Sequence, residues 1–354
     1  MEARPEKIAG CEVLYVPYWR FKGLEFSLGE KKPDFRIVDH SCLAIKNSGL
    51  PISLGLRSQT QKLKFIGKDI AGSFLKPSIS RKEILKQMSA DGDKKVYIGE
   101  VLSLIFMPFL QDAHTLYDGF TKTAMALDPS ALIADKQPLA YHLEFTPGLC
   151  PNCGWDLDGE TDSLVLQCHN CMRSWLIHNK KLNTLKTLFY DLRSDTDMQI
   201  PFWRFEIEFK TLDCSTHAHL IKIANIPKVI TTAHGNQPVY FYIPAFKLNP
   251  KLFLRIGRQM TLAQIEPIGI RNIPGMRFHP VDLPIAEGFQ AVLPILMDLC
   301  INKKEIWNLL AEEKLKLKRF SLTYISFRIF GSECVQETLG FSLPINALRF
   351  GRNL

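Results

Sequence analysis

Two pairs of cysteines restrict the fold of this chain more than any other feature of its 354 residues. The pairs are Cys150 with Cys153 and Cys168 with Cys171, and the spacing C-x2-C-x14-C-x2-C is typical of a zinc ribbon. Each pair forms a knuckle that presents two thiolates, and a hairpin brings the four sulfur atoms around a tetrahedral Zn²⁺. Because four protein ligands leave no position for a reacting water, the spacing predicts one structural zinc and no catalytic residue there.

The residues beside these cysteines refine the prediction. Gly154 follows the first pair and supplies the permissive backbone that a knuckle turn often needs. Met172 takes the same place after the second pair, which departs from the usual form. His169 lies inside the second knuckle, but four thiolates already satisfy the metal, so His169 is not expected to be a ligand.

The other five cysteines are dispersed and odd in number, which fits a reducing compartment rather than a disulfide framework. The first residues lack the apolar segment of a signal peptide, and no apolar run approaches the roughly 20 residues that a membrane-spanning helix needs. We therefore expect a soluble cytoplasmic protein with no transmembrane segment.

A six-residue pattern occurs twice. Val16–Phe21 and Ile200–Phe205 both read aliphatic, proline, aromatic, tryptophan, arginine, phenylalanine. Proline donates no ladder hydrogen bond, so each copy should lie in an edge strand or at a bulge. The repeat predicts two related β units that flank the inserted ribbon, with Trp19 and Trp203 both buried.

The remaining pattern predicts a β-rich α+β fold with its helices mainly in the C-terminal third. We expect a β-rich unit over 1–140, the ribbon over 141–182 and an α+β unit over 183–354. Alternation and turn signals predict further strands, among them 52–66 and 185–192. Asn249 and Pro250 predict a helix start, and two more helices are expected over 285–300 and 305–313.

A second group of metal-binding or catalytic residue types comprises Cys214, His217, His219 and His234. His217 and His219 would share one face of a strand, and cysteine and imidazole are suitable metal ligands. A polar strand edge and a loop histidine explain the same residues without chemistry. Both interpretations stay open at this point.

The predicted helix from Pro250 places Lys251, Arg255 and Arg258 on one face. Such a face suits an anionic partner, whether nucleic acid or a peripheral membrane surface, or it is simply solvated. The formal net charge of +8 falls to about +6 once four thiolates hold Zn²⁺, a mild excess for this length. Arg20 and Arg204, at equivalent places in the repeat, could likewise bind an anion or only pack along the sheet.

The chain resembles uncharacterised bacterial zinc-ribbon proteins in two features. These are the ribbon with Trp155-Asp156-Leu157 after its first knuckle and the repeated Pro-aromatic-Trp strands. The resemblance covers about 13–23, 145–210 and 240–246. It implies metal binding by the four ribbon cysteines and nothing catalytic.

Three functions are compatible with these patterns. The leading hypothesis is a zinc-binding intracellular interaction or scaffold protein whose partner is another protein. Nucleic-acid binding is the first alternative, because ribbons commonly serve it and the chain is modestly basic. An enzyme that uses the Cys214/His217/His219/His234 group is the second, and it is less favoured because the sequence contains no phosphate-binding loop, nucleophile elbow or metalloprotease helix motif.

Overall fold

The structure is a computed structural model that describes residues 10–28, 33–46, 49–60, 63–64, 70–80, 83–84, 95–127, 129, 132, 147–178, 181–191, 198–269, 276–302, 306, 309–310 and 313–351. Most of the helix predicted over 305–313 lies outside these residues. The description that follows refers to this part of the chain.

The strands, numbered in chain order, are β1 Glu12–Leu28, β2 Pro33–Leu43, β3 Ser73–Phe74, β4 Lys95–Gln111, β5 Leu116–Asp118, β6 Ala124–Met125, β7 Leu157–Asp158, β8 Val165–Cys168, β9 Ser174–His178, β10 Lys181–Leu185, β11 Thr187–Tyr190, β12 Met198–Glu208, β13 Phe241–Pro244, β14 Arg277–Phe278, β15 Lys316–Phe330, β16 Glu333–Gln336 and β17 Phe341–Pro344. The helices are α1 Arg57–Thr60, α2 His217–Ile223, α3 Thr232–Asn236, α4 Pro250–Ala263, α5 Ile285–Gln290, α6 Val292–Leu299 and α7 Ile345–Phe350. The fold is β-rich α+β, as predicted, and of the seven helices α1–α7 all but α1 lie after residue 216.

Three sheets organise the described strands. The first has the order β2-β1-β4-β5-β6, with β3 also paired to β1. The second is the small sheet β10-β9-β8-β7, which carries the ribbon cysteines. The third has the order β13-β12-β15-β16-β17, with β11 paired to β15 and β14 paired to β12. The ribbon sheet therefore lies in sequence between the two larger sheets.

The chain divides into two compact units. One comprises Met1–Gly23, Ile37–Gly92 and Glu100–Glu144, and the other comprises Leu24–Arg36, Asp93–Gly99 and Phe145–Leu354. The ribbon belongs to the second unit. The predicted boundaries at residues 140 and 182 stay predictions.

The two larger sheets repeat one topology. In each, the strand that contains the six-residue pattern, β1 or β12, lies between a shorter strand, β2 or β13, and a long strand, β4 or β15. Two further antiparallel strands follow the long strand, β5 and β6 in the first sheet and β16 and β17 in the third. A two-residue parallel strand joins the patterned strand at the same place in both copies. Leu14 and Tyr15 pair with β3, and Met198 and Gln199, the residues at the same distance before the pattern, pair with β14.

Hydrogen bonds between distant residues repeat as well. The carbonyl of Pro17 accepts from Ala44, and that of Pro201 accepts from Ala245, at 2.9 and 3.1 Å. The carbonyl of Ala44 then accepts from the N–H of residues 78 and 79, and the carbonyl of Ala245 from the N–H of residues 282 and 283. Strand order, register and tertiary hydrogen bonds therefore agree that the fold contains an internal duplication.

The tryptophans of the two copies make equivalent hydrogen bonds but differ in burial. The indole N–H of Trp19 donates to the carbonyl of Ile79 at 2.8 Å, and that of Trp203 donates to Leu283 at 2.9 Å. Trp203 is 0% exposed, whereas Trp19 is only half-buried. The prediction that both would be buried is thus wrong for Trp19. In the first copy Tyr18 and Phe21 are the aromatic residues of the pattern that are fully buried.

One predicted strand is also wrong. Over 52–66, the described residues form no strand and include α1, because Gly55 adopts a positive φ of 56° and interrupts the extended chain. Ile52 and Leu56, which supplied the alternation, are 78% and 71% exposed. The strand predicted over 185–192 is confirmed by β11, Thr187–Tyr190, although a break at Lys186 separates it from β10, and the two strands pair in different sheets.

The helices of the second copy occupy the connections between its strands. α2 and α3 lie between β12 and β13, α4 lies between β13 and β14, and α5 and α6 lie between β14 and β15. The predicted helix over 285–300 is divided at Ala291, so that Pro294 falls in the first turn of α6, where its missing N–H costs least. The core of this unit packs around Trp203, Phe205 and Tyr242. Among the described helices, none is long and apolar enough to cross a membrane.

Candidate metal centre

The two cysteine knuckles have the same backbone geometry. In the first, the N–H of Gly154 donates to the carbonyl of Cys150 at 2.8 Å, and in the second Met172 donates to Cys168 at 2.8 Å. Gly154 has φ 73° and Met172 has φ 57°, both in the left-handed region. The knuckle therefore requires a left-handed residue after its second cysteine, and Met172 adopts that conformation although it carries a side chain, at a cost of roughly 1–2 kcal/mol.

The four cysteine sulfur atoms converge on one point. All four Sγ atoms lie within 4.8 Å of one another. The Sγ atoms of Cys150 and Cys171 are 3.5 Å apart, and those of Cys153 and Cys168 are also 3.5 Å apart. A zinc–thiolate tetrahedron with bonds of about 2.3 Å has edges of about 3.8 Å, so the cluster has the right size to hold one metal ion. Among the described residues, no other group of three or more His, Cys, Asp or Glu side chains is arranged to hold one.

The surroundings of the thiols shift their pKa values in opposite directions. Burial opposes ionisation of Cys150, but the N–H groups of Asn152 and Cys153 outweigh it and lower the pKa of this thiol to about 6. The N–H of Trp155 lowers the pKa of Cys153. Burial raises the pKa of Cys168 to about 12. Four thiolates this close repel one another, so a divalent cation at the centre is what would allow all of them to ionise.

The ribbon is attached to the third sheet. Cys150 and Cys168 are buried in a small cluster with Trp175. On β8, the amide of Gln167 donates to the hydroxyl of Tyr324 in β15 at 2.8 Å. The N–H of Leu164 donates to a backbone carbonyl just beyond β14 at 2.7 Å. These contacts connect the metal cluster to the core of the second unit.

The predicted second group does not assemble into one site. His217 and His219 begin helix α2 rather than a strand, because the side chain of Thr216 caps that helix by accepting from the N–H of His219. Cys214 is fully buried, and burial raises the pKa of its thiol. His219 instead pairs with Asp213 at 3.0 Å.

Only two of these four side chains make a direct ring contact. The rings of His217 and His234 meet edge to face with centroids 4.8 Å apart. Nδ1 of His234 is already used, since it accepts from the N–H of Thr231 at 3.1 Å. The geometry therefore gives a shared metal or catalytic role no support, and the enzyme hypothesis stays a prediction.

The basic face of α4 forms as predicted, and two of its three side chains contact neighbouring groups. Lys251, Arg255 and Arg258 are all exposed on this helix. Arg255 donates to the carbonyl of Ser342 at 3.3 Å, and Arg258 lies 3.9 Å from a carboxylate oxygen of Asp298. Of these two partners, only Asp298 carries an opposite charge, so the positive charge of the face is offset at Arg258 and not at Arg255.

The outer surface of the ribbon is a feature that the spacing of the cysteines did not reveal. Trp155 is 59% exposed and Leu149 is 50% exposed on the first knuckle. The following loop carries exposed acidic side chains at Asp156, Asp158 and Glu160. Over 147–178 there are four Asp or Glu residues against one Arg. Although the chain as a whole is basic, its ribbon is acidic around an exposed tryptophan.

Comparison with family models, curated proteins and solved structures finds no match for this chain. The resemblance to bacterial zinc-ribbon proteins is therefore supported at the level of the four-cysteine cluster alone.

Proposed function

We propose that Zn²⁺ fills the four-cysteine cluster as a structural ion and that the ribbon is a docking module for another protein. When bound, the ion supplies charge neutralisation and cross-linking of the two knuckles, and it performs no reaction. The exposed first knuckle carries this proposal, because it presents Trp155 and Leu149 to solvent beside a closed metal site. Tryptophan is among the residues that contribute most to protein–protein binding when a partner pocket buries it.

The charge of the ribbon indicates the chemistry of the partner. The carboxylates of the loop after Trp155 would be repelled by nucleic-acid phosphates, which bind through Lys and Arg. The same carboxylates suit a protein surface with an apolar pocket and a basic rim. We therefore rank a protein partner above nucleic acid.

Photo-cross-linking tests this proposal. A benzophenone amino acid placed at Trp155 should give a covalent adduct with a protein, whereas the same group at Phe330, which is 67% exposed on a hairpin of β15, should not. The purified partner should then bind the zinc-loaded chain, and Trp155→Ala should weaken that binding by about ten-fold or more.

Two results would overturn the proposal. One is an adduct with nucleic acid at position 155, which would place the nucleic-acid alternative first. The other is unchanged affinity of the Trp155→Ala variant for the purified partner while zinc content stays the same.

A further inference from the structure

The duplication places two arginines at equivalent positions in its two copies. In the first copy, Arg20 on β1 faces Asp39 on β2. Its Nε donates to Oδ1 of Asp39 at 2.9 Å and its Nη2 donates to Oδ2 at 2.7 Å. This two-point pairing neutralises the guanidinium within the protein and orients it.

In the second copy the carboxylate is missing. Asp39 lies five residues before Ala44, and Tyr240 lies five residues before its counterpart Ala245. The guanidinium carbon of Arg204 lies 3.3 Å from the centre of the Tyr240 ring, and Nε donates to the hydroxyl of Tyr242 at 2.9 Å. Stacking and one hydrogen bond therefore replace the ion pair.

The two terminal nitrogens of the Arg204 guanidinium have no polar partner among the residues that the structure describes. Among the described residues, no hydrogen bond or ion pair uses its Nη1 or Nη2. Neither atom is buried, since the buried side-chain polar atoms without a partner belong to other residues. Arg204 therefore keeps parallel N–H donors that are not completely buried, in the arrangement that binds a carboxylate or phosphate at two points.

The neighbouring groups fix this edge without neutralising it. The hydroxyl of Tyr242 donates to the carbonyl of Ile265 at 3.0 Å, so the acceptor for Arg204 Nε is itself held in place. Glu206, two residues along β12 on the same face, pairs with Arg319 at 2.6 Å. Glu206 is therefore already paired, and among the described residues no carboxylate forms an ion pair with Arg204.

We propose that Arg204, stacked on Tyr240, binds the oxyanion of an external ligand, a carboxylate or a phosphate group, through its terminal nitrogens Nη1 and Nη2. The site is pre-oriented by Tyr240 and Tyr242, which reduces the entropy that a free arginine would lose on binding. It lies in the second unit and does not depend on the role proposed for the ribbon.

An NMR titration of the full, zinc-loaded chain tests the site. The Nε–H signal of Arg204, assigned by its loss in Arg204→Gln, should shift on addition of sodium acetate or inorganic phosphate at constant ionic strength. The anion that shifts it at the lower concentration identifies the preferred group. Arg204→Lys, which keeps the charge but loses the two parallel donors, should bind about ten-fold more weakly by calorimetry.

Two further variants use the duplication as a control. Tyr240→Asp should recreate the ion pair of the first copy and abolish anion binding, whereas Arg20→Gln should leave it unchanged. Zinc content should be equal in all four variants, which shows that each is folded around its ribbon. The proposal is wrong if neither anion shifts the Arg204 signal, or if Tyr240→Asp binds as well as the unchanged chain.

Discussion

At the scale of single residues, Glu313 shows how one buried carboxylate organises a loop. It lies just before β15, and its side chain accepts from the N–H groups of Lys210, Thr211 and Leu212 at 2.6, 3.0 and 2.8 Å. Burial would raise the pKa of this carboxyl, but the Thr211 hydroxyl and these N–H groups outweigh it and lower the pKa below its usual value. The native fold therefore stabilises the ionised form of Glu313.

Replacing Glu313 with Gln should lower the free energy of unfolding by about 1.5–3 kcal/mol at pH 7, because hydrogen bonds to a charged group are lost. A depressed folded pKa contributes stability that is full above the unfolded pKa of about 4.3 and disappears as pH falls through the folded value. The difference between the two proteins should accordingly shrink at acidic pH, as measured by urea unfolding.

A matched control for this change is Glu337→Gln. Glu337 pairs with Arg328 at the surface at 2.8 Å, so its replacement should alter stability by less than about 0.5 kcal/mol. The cysteine cluster also binds protons as pH falls, but it does so equally in the unchanged chain and in both variants. Comparing their free energies of unfolding at the same pH therefore removes this effect. An equal loss for both variants would contradict the role assigned to Glu313.

At the scale of elements, the two tryptophans of the duplicated strands should differ in energetic weight. Trp203→Ala should cost about 3–5 kcal/mol as a core truncation, since the side chain is fully buried. Trp19→Ala should cost less, since its side chain is half-buried although its indole makes the equivalent hydrogen bond. Urea unfolding followed by circular dichroism measures both, and equal costs would contradict the burial difference.

Local patterns predicted the elements that depend on local interactions. The strands β1 and β12 follow from the repeated pattern and the start of α4 at Asn249 follows from capping, and the structure confirms them. The pattern failed at α2, where Thr216 caps a helix that the spacing of His217 and His219 had placed in a strand. The two-residue strands β3 and β14 are too short to leave any periodicity, since their position is set by pairing with distant residues.

At the scale of the whole molecule, the cysteine cluster supports more than its own small sheet. We expect metal analysis to find about one zinc per chain and Cys168→Ser to reduce this nearly to zero, because binding and ribbon folding are linked. Gln167 connects β8 to Tyr324, so this variant should also unfold at a lower temperature. Cys42→Ser, a change outside the cluster, should keep both the zinc and the unfolding temperature.

Metal analysis tests both the ligands of the cluster and the identity of its ion. Zinc retained in full by Cys168→Ser would contradict the assignment of its ligands. Iron in place of zinc would keep the ligands and change the ion, because four thiolates in a tetrahedron suit both metals.

The candidate sites were predictable to different degrees for a physical reason. The ribbon ligands lie within 22 consecutive residues, so their spacing is enough to identify them. The Arg204 site depends on Tyr240, which β13 brings beside β12 only after an intervening segment with two helices. The sequence repeat indicated that Arg20 and Arg204 are equivalent, but the exchange of Asp39 for Tyr240 is visible only once the strands are aligned.

The position of the ribbon between the two copies has a consequence for the order of events during synthesis. Its four strands are neighbours in the chain and end at Leu185, whereas the third sheet is complete only when β17 has emerged, at Pro344. Contacts between nearby residues form sooner than contacts across a hundred residues or more. We therefore expect the nascent chain to bind its metal while the strands that pair with β12 are still being translated. The ribbon would then be folded before Tyr324 is synthesised and accepts the hydrogen bond from Gln167.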